Sequence, residues 1–253
     1  GRCVSYFNVS DNPSTVTRTI DFVVTDGAGG TSNTSQKLVS VTAVADAPIA
    51  VEDRSSLRFD GIDDYVNLGS GASLAVTNTL TIEAWVRPTA YPVGSSIIVN
   101  KEGEYELGVS STGTLMWALT NTNPNWSWHD TGYTLALNQW AHIAFTYNNG
   151  IASTYVNGNL VEIYYGSGAI GDVYPLLNDL RIGGRSNNPP NQFFSGDIDE
   201  VHVWNIARTQ GQIQTNLAQA LVGNESGLVG YWRFNEGAGT TTADLTANAN
   251  TGT

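Results

Sequence analysis

The stretch Phe194–Trp204, FSGDIDEVHVW, decides how the chain is read. Its apolar residues favour β structure, so the run reads as a strand. Asp197, Asp199, Glu200 and His202 crowd the same run, a composition also found in catalytic strands and metal sites. Strand geometry weighs these readings against each other. Successive side chains point to opposite faces, so Asp197 and Asp199 share one face with Val201. Glu200 and His202 fall on the other face, with Ile198 and Trp204. Retaining glycoside hydrolysis needs two carboxyls about 5 Å apart, in environments that separate their pKa values. Asp197 and Asp199 approach that spacing, but no third group stands on their face to tune them. The stretch is therefore read as a structural strand with acids at its edge.

The rest of the chain repeats this grammar. TLTIEAWVRP (79–88) places Ile82, Ala84 and Val86 on one face and Thr81, Glu83, Trp85 and Arg87 on the other. SSIIVNK, EYELGVS, GTLMWALT, WAHIAFTYNNG and NDLRIGG are further short strands at the spacing of a sandwich. Asn157-Gly158, between STYV and NLVEI, is a two-residue hairpin signal. ARTQGQIQTNLAQALV (207–222) is expected to be a helix, with Ile213, Leu217 and Ala220 at helical spacing. The fold expected is all-β, a two-sheet antiparallel jelly-roll sandwich with one short helix.

Composition limits the partners. The chain has 253 residues, 41% hydrophobic and only 13% charged, with a net charge of −12. A disordered chain would carry more charge and fewer aromatics. Eleven Lys and Arg are scattered without runs, which argues against nucleic acid and anionic membranes. No stretch approaches the roughly 20 apolar residues of a membrane span. Cys3 is the one cysteine, so neither a disulfide framework nor a thiol motif exists. His129, His142 and His202 fall in no metal-ligand pattern, and no Gly-x-Ser-x-Gly or phosphate loop occurs. No signal peptide is visible, and Gly1 reads as a cut inside a longer protein.

Residues 1–53 read differently from 54–253. TRTIDFVVT and QKLVSVTAV flank the turn DGAGG, and ADAPIAVED follows as a linker. This pattern resembles the last strands of bacterial cadherin-like and Ig-like repeats, of which a full copy needs about 90–100 residues. From residue 56 to 245 the chain resembles the laminin G-like and pentraxin family, of concanavalin A-like jelly-roll fold. The stretches that carry this are RFDGIDDYV, TIEAWVRP, NQWAHIAFTYNNG, STYVNGNLV, LRIGG, FSGDIDEVHVWNIARTQGQI and GLVGYWRFNEGAGTTTAD. The last is expected to close the same domain, as its counterpart does in pentraxins. The resemblance implies that Asp60, Asp63, Asp199 and Glu200 share one calcium ion, which takes six to eight oxygens. The competing reading makes these acids acceptors for loop backbone. Pentraxins hold paired calcium ions partly through an acidic loop; RIGGRSNNPPNQFF carries Arg185 and asparagines there instead.

TNTNPNWSWHDTGY (120–133) is the least structural stretch. Trp85, Trp117, Trp140, Trp204 and Trp232 lie within strands, as core tryptophans do, whereas Trp126 and Trp128 lie in a polar loop. Aromatic faces stack on sugar rings while amides bond their hydroxyls. Trp126, Trp128, His129, Tyr133, Asn188 and Asn191 are the candidate ligand residues, with Tyr91 and Tyr174 as weaker additions. A tryptophan folding back over the core is the alternative. The reading is a non-catalytic, calcium-stabilised module binding a polysaccharide or glycoconjugate, in a secreted or cell-surface bacterial multidomain protein. A structural or adhesion spacer, binding a cell-surface protein or nothing, is the first alternative. A polysaccharide hydrolase or lyase is the second.

Overall fold

The computed structural model describes residues 16–40, 56–187, 191–217 and 219–253. The chain divides into two compact units, residues 1–51 and 52–253. In the first, β1 (Arg18–Phe22) and β2 (Ser35–Val39) form the expected antiparallel hairpin. Asp26 Oδ1 closes its DGAGG loop by accepting the N–H groups of Ala28 and Gly30 at 2.9 and 3.0 Å. The ADAPIAVED linker and Cys3 lie outside the described residues.

The second unit contains β3 (Leu57–Asp60), β4 (Val66–Asn67), β5 (Thr79–Pro88), β6 (Ser95–Lys101), β7 (Tyr105–Ser110), β8 (Thr114–Leu119), β9 (Thr122–Asn123), β10 (His129–Thr134), β11 (Ala141–Asn148), β12 (Ile151–Val156), β13 (Asn159–Tyr165), β14 (Ser167–Gly168), β15 (Leu180–Ile182), β16 (Ser195–Trp204), α1 (Gln210–Leu217) and β17 (Leu228–Trp232). Two antiparallel sheets carry the fold. One has the order β10-β8-β7-β6-β15-β4; the other runs β13-β12-β11-β5-β16-β17, with β3 also on β16. Asn157 and Gly158 both take positive φ, 50° and 72°, as a tight β12–β13 turn requires. The core lies between the sheets. β5 supplies Leu80, Ile82, Ala84 and Val86, and β7 and β8 supply Tyr105, Leu107, Val109, Leu115, Trp117 and Leu119. β17 joins β16, so GLVGYW belongs to this same sheet. The end of the chain folds back too: Asp244 accepts from the backbone of Tyr231, Thr246 and Asn250, and Thr253 pairs with Asn67.

β16 departs from simple alternation. Its register against β5 shifts between Asp199 and His202, and Glu200 holds φ at 50°. This is a β-bulge, which inserts one extra residue into a strand. Past it the faces exchange. Asp197, Asp199, His202 and Trp204 stand opposite Arg87, Trp85, Glu83 and Thr81 on the outward face of β5. Ile198, Val201 and Val203 all join the core. The expectation that Val201 shares the face of Asp199, and that His202 and Trp204 share that of Ile198, is therefore wrong. The same bulge marks a change of partner on the far edge of β16. β3 pairs with residues 195–198 and β17 with residues 201–204.

Helix α1 is shorter than the sequence suggests. Thr209 and Gln212 form a capping box: Gln212 Oε1 accepts from Thr209 N at 2.8 Å, and Thr209 Oγ1 accepts from Gln212 N at 3.3 Å. Ile213 is the helix residue that is buried, packing on Ala144 and Tyr155 of the seven-stranded sheet. Arg208 anchors the segment ahead of the helix. It pairs with Glu83, donates to the Gln212 carbonyl at 2.8 Å, and lies 4.1 Å above the Trp204 ring.

Glu83 is fully buried. His142 Nε2 stands 3.5 Å from its Oε2, an ion-pair distance with no hydrogen bond to that oxygen. Burial pushes the Glu83 carboxyl up, but His142, His202 and Arg208 outweigh it and hold it at about 2. Its unfolded value is near 4.3. A depressed carboxylate stabilises above that value and loses the contribution as pH falls toward 2. Glu83→Ala would leave Arg208 buried and unpaired, so denaturant unfolding at pH 7 should show a loss of about 3–5 kcal/mol. Glu83→Gln should flatten the fall in stability between pH 4.5 and pH 3 that the parent protein shows.

Candidate functional site

The outward face of the six-stranded sheet is built by alternation. Tyr105, Leu107 and Val109 enter the core, so Glu106 and Gly108 between them point away from it. Met116 and Ala118 face outward from β8 by the same rule, opposite Gly108 and Glu106. Asn100 on β6 stands opposite Glu106. The β6–β7 turn adds Glu102, and the segment after β15 adds Arg185.

These groups form one network. Arg185 holds Glu102 bidentately, Nε to Oε2 at 2.8 Å and Nη2 to Oε1 at 3.0 Å. Its Nη1 donates to Gln192 Oε1 at 3.0 Å, and Nη2 lies 3.8 Å from Glu106 Oε2. Asn100 Nδ2 donates to Glu106 Oε2 at 2.9 Å, while Asn100 Oδ1 accepts from Ser186 N at 2.8 Å. Burial pushes the Glu106 carboxyl up, the Glu102 charge adds to this, and Arg185 and Asn100 oppose it, leaving it at about 7. Arg185 goes up: burial would lower it, but the hydrogen bond to Glu102 and the charges of Glu106 and Glu102 win.

Two tryptophans flank the network. The Arg185 guanidinium lies over the Trp126 ring, 5.6 Å from its centroid. Trp126 holds φ at 37° and is fixed by its N–H bond to the Leu119 carbonyl at 2.8 Å. Such a conformation is uncommon for a bulky residue and costs about 1–3 kcal/mol. Trp128 reaches over β7, where a Cβ on Gly108 would stand 3.0 Å from its Cη2 and 2.4 Å from Ser96 O. Glycine at 108 is thus what lets the indole lie against the strand. Both tryptophans are half-buried. Tyr174, half-exposed, packs against Gly103 in the turn that carries Glu102.

The structure separates the other expected residues. His129 and Tyr133 open and close the inward-facing positions of β10. His129 stacks at 4.7 Å on Trp117 and at 4.5 Å on Tyr164, with its Nε2 3.2 Å from Glu162 Oε1. Tyr133 packs against the core. Tyr91 is tied to the Leu135 carbonyl at 2.7 Å. Asn191 stays close to the network, since Arg185 N donates to its carbonyl at 2.9 Å. Asn188 lies outside the described residues. Trp85 and Trp140 are strand or strand-edge residues but only half-buried, on the outward face of the seven-stranded sheet with Arg87 and His142.

The four carboxylates expected to share calcium fall in two places. Asp60 pairs with Ser195, and Asp199 lies four residues further along β16, about 13 Å at strand rise. Asp60 gathers instead with Asp63 and Asp64, one oxygen of each within 4.8 Å of the others. Glu200 is held by Tyr231 Oη and Arg233, with His202 at 3.7 Å. Asp197 is clamped by Arg58 at 2.6 Å and Arg87 at 2.8 Å, one arginine on each oxygen.

Glu102, Glu106 and Asn100 were not anticipated. Their signal was present: NKEGEYEL carries carboxylates at alternate positions 102, 104 and 106. Glu104 is diverted to a buried pair with Lys101 in the turn. Arg185 is 83 residues from Glu102, a pairing that spacing alone does not reveal.

This geometry now stands beside what the chain is similar to. The laminin-G-type family model described as "Concanavalin A-like lectin/glucanases superfamily" matches residues 60–214, more than half of the chain, and the chain belongs to that family. Among solved structures, a Bacteroides ovatus protein provisionally described as carbohydrate-binding superposes with a TM-score of 0.66 at 21% identity. That match covers 87% of this chain and 65% of the other. The heptameric SAP-like pentraxin of Limulus polyphemus matches at a TM-score of 0.46 and 18% identity, over 67% and 84% of the two chains. Mouse pappalysin-1 is 28% identical over 80 residues, which is 31% of this chain and 5% of pappalysin-1. The chain thus spans slightly under two thirds of the first structural relative and a small part of the curated one.

A carboxyl raised in the folded state adds stability below its unfolded value, near 4.3, and loses it as pH rises through 7. Glu106→Gln keeps a group for Asn100 and removes the buried charge. Thermal melts should find this variant more stable than the parent at pH 8, with the gap closing by pH 5.

Proposed function

We propose that this chain contains a non-catalytic glycan-binding module, with the ligand on the outward face of the six-stranded sheet. One observation carries the reading. Trp126 and Trp128, both half-buried, flank a polar network held rigid by Arg185. Planar apolar surface beside a few fixed polar groups is how proteins grip sugar rings, stacking on the ring and bonding its hydroxyls. The family and the fold it shares with a protein provisionally described as carbohydrate-binding support the reading. The absence of a free acid–base pair on β16 supports the non-catalytic part, because both Asp197 oxygens are occupied. We also place the module outside the cell, as a secreted or surface part of a larger protein, in keeping with a composition in which only 13% of the residues are charged.

Affinity electrophoresis against a polysaccharide panel tests this. At least one neutral or acidic polysaccharide should retard the protein. Trp126→Ala and Trp128→Ala should each weaken binding by about 2 kcal/mol, roughly thirtyfold, with the melting temperature little changed. Binding untouched by both substitutions would move the site elsewhere.

A structural calcium ion belongs to the same proposal, at Asp60, Asp63 and Asp64. Their exposed carboxylates converge in the DGIDD turn. Asp60 Oδ1 accepts from Ile62 N at 2.7 Å and Asp64 Oδ2 from Asp60 N at 2.9 Å. Among the described residues no lysine or arginine pairs with them. A hard dication suits such a set of oxygens; bound, it would offset two of the three negative charges of the turn. An ion that binds the native state at a hundredfold excess over its dissociation constant adds about 2.7 kcal/mol. Calcium should therefore raise the melting temperature and chelator lower it, and Asp63→Ala should abolish both shifts.

A further inference from the structure

We infer that the tryptophan-flanked face selects neutral glycan chains and rejects those carrying carboxylate or sulfate groups, with Glu106 as the residue that sets this choice. The inference rests on the glycan reading above and specifies the ligand class of that site.

The charged groups of the face are already paired with one another. Arg185 is the cation of the site, and a ligand anion would need it. Its Nε and one N–H of Nη2 are committed to Glu102, one N–H of Nη1 to Gln192, and its face to Trp126. Its remaining N–H on Nη2 lies toward Glu106 Oε2. An acceptor oxygen beside it is unpaired. Glu106 Oε1 has no hydrogen-bond partner among the described residues, although the residue is only 3% exposed. Free acceptors call for donors, and the hydroxyls of a neutral sugar supply them.

Charge points the same way. Around Glu106, β6 contributes Asn100, β8 contributes Ala118, the turn contributes Glu102 and the segment after β15 contributes Arg185. One guanidinium faces two carboxyls, so the site is never net positive. The chain as a whole carries −12. A uronate or sulfated chain would meet two carboxyls against one guanidinium that is already paired with Glu102, and juxtaposed like charges are how interfaces exclude wrong partners.

The test uses the whole chain and matched ligands, each neutral polysaccharide that retards it and the carboxymethyl derivative of the same backbone, at pH 8 and fixed salt. The neutral form should bind and the carboxymethyl form should bind about tenfold more weakly or worse. Glu106→Gln, first shown to melt cooperatively, should bring the two within about threefold. A measurement on the unaltered protein guards against a variant that fails to fold: at pH 5, where Glu106 is protonated, the same narrowing should appear. Equal or tighter binding of the carboxymethyl form, still lost in Trp126→Ala, overturns the charge selection and leaves the glycan reading intact. Discrimination that is unchanged in Glu106→Gln and at pH 5 overturns the role of Glu106. Retardation by neither class overturns the glycan reading and this inference together.

Discussion

The bulge at Asp199–Val201 is the constraint on which the seven-stranded sheet turns. β16 must serve β5 along its whole length on one edge and two strands, β3 and β17, in succession on the other. One inserted residue provides the discontinuity between them. It also reverses which side chains face out. Without it, His202 and Trp204 would enter the core, and Glu83 would lose its facing neighbour. With it, the outward face gathers Glu83, His142, His202, Arg208 and Trp204 under the segment that leads into α1.

Two buried charge networks therefore sit on opposite outer faces, and their surroundings give them different tasks. Around Glu83 the cations outweigh burial, the carboxylate stays ionised, and Arg208 seals the cluster by stacking on Trp204. Around Glu106 burial outweighs the single arginine, and the carboxyl is left near its point of titration. The first arrangement fastens a connecting segment to the sheet. The second keeps an acceptor unspent beside two aromatic rings. The same residue types thus make a clamp in one place and a candidate site in the other, decided by how many counter-charges arrive.

Much of this architecture was legible in the sequence. Period-two patterning located the strands, and Asn157-Gly158 marked its turn, because those signals are local. The faces of β16 past Asp199 escape a reading by strict alternation, although the consecutive Asp199 and Glu200 break that pattern at the bulge. In the tryptophan loop, the sequence alone groups Trp126 and Trp128 with His129 and Tyr133. β10 begins at His129, and its alternation sends His129 and Tyr133 inward to Trp117 and the core. The Glu102–Arg185 pairing escaped because it joins a turn to a segment far along the chain. Asp199 and Glu200 were assigned to calcium with Asp60, yet the ladder between β3 and β16 sets them well apart.

The fixed posture of Arg185 has a kinetic consequence. An arginine side chain ordinarily holds close to 2 kcal/mol of rotamer entropy, and a ligand that must immobilise one meets that cost during binding. Here bidentate contact with Glu102, the bond to Gln192 and the Trp126 ring immobilise it in the free protein. A ligand of the proposed kind would meet a finished surface, and its encounter would require no slow rearrangement of that side chain. Differences among ligands would then be expressed in how long each stays, not in how quickly it arrives.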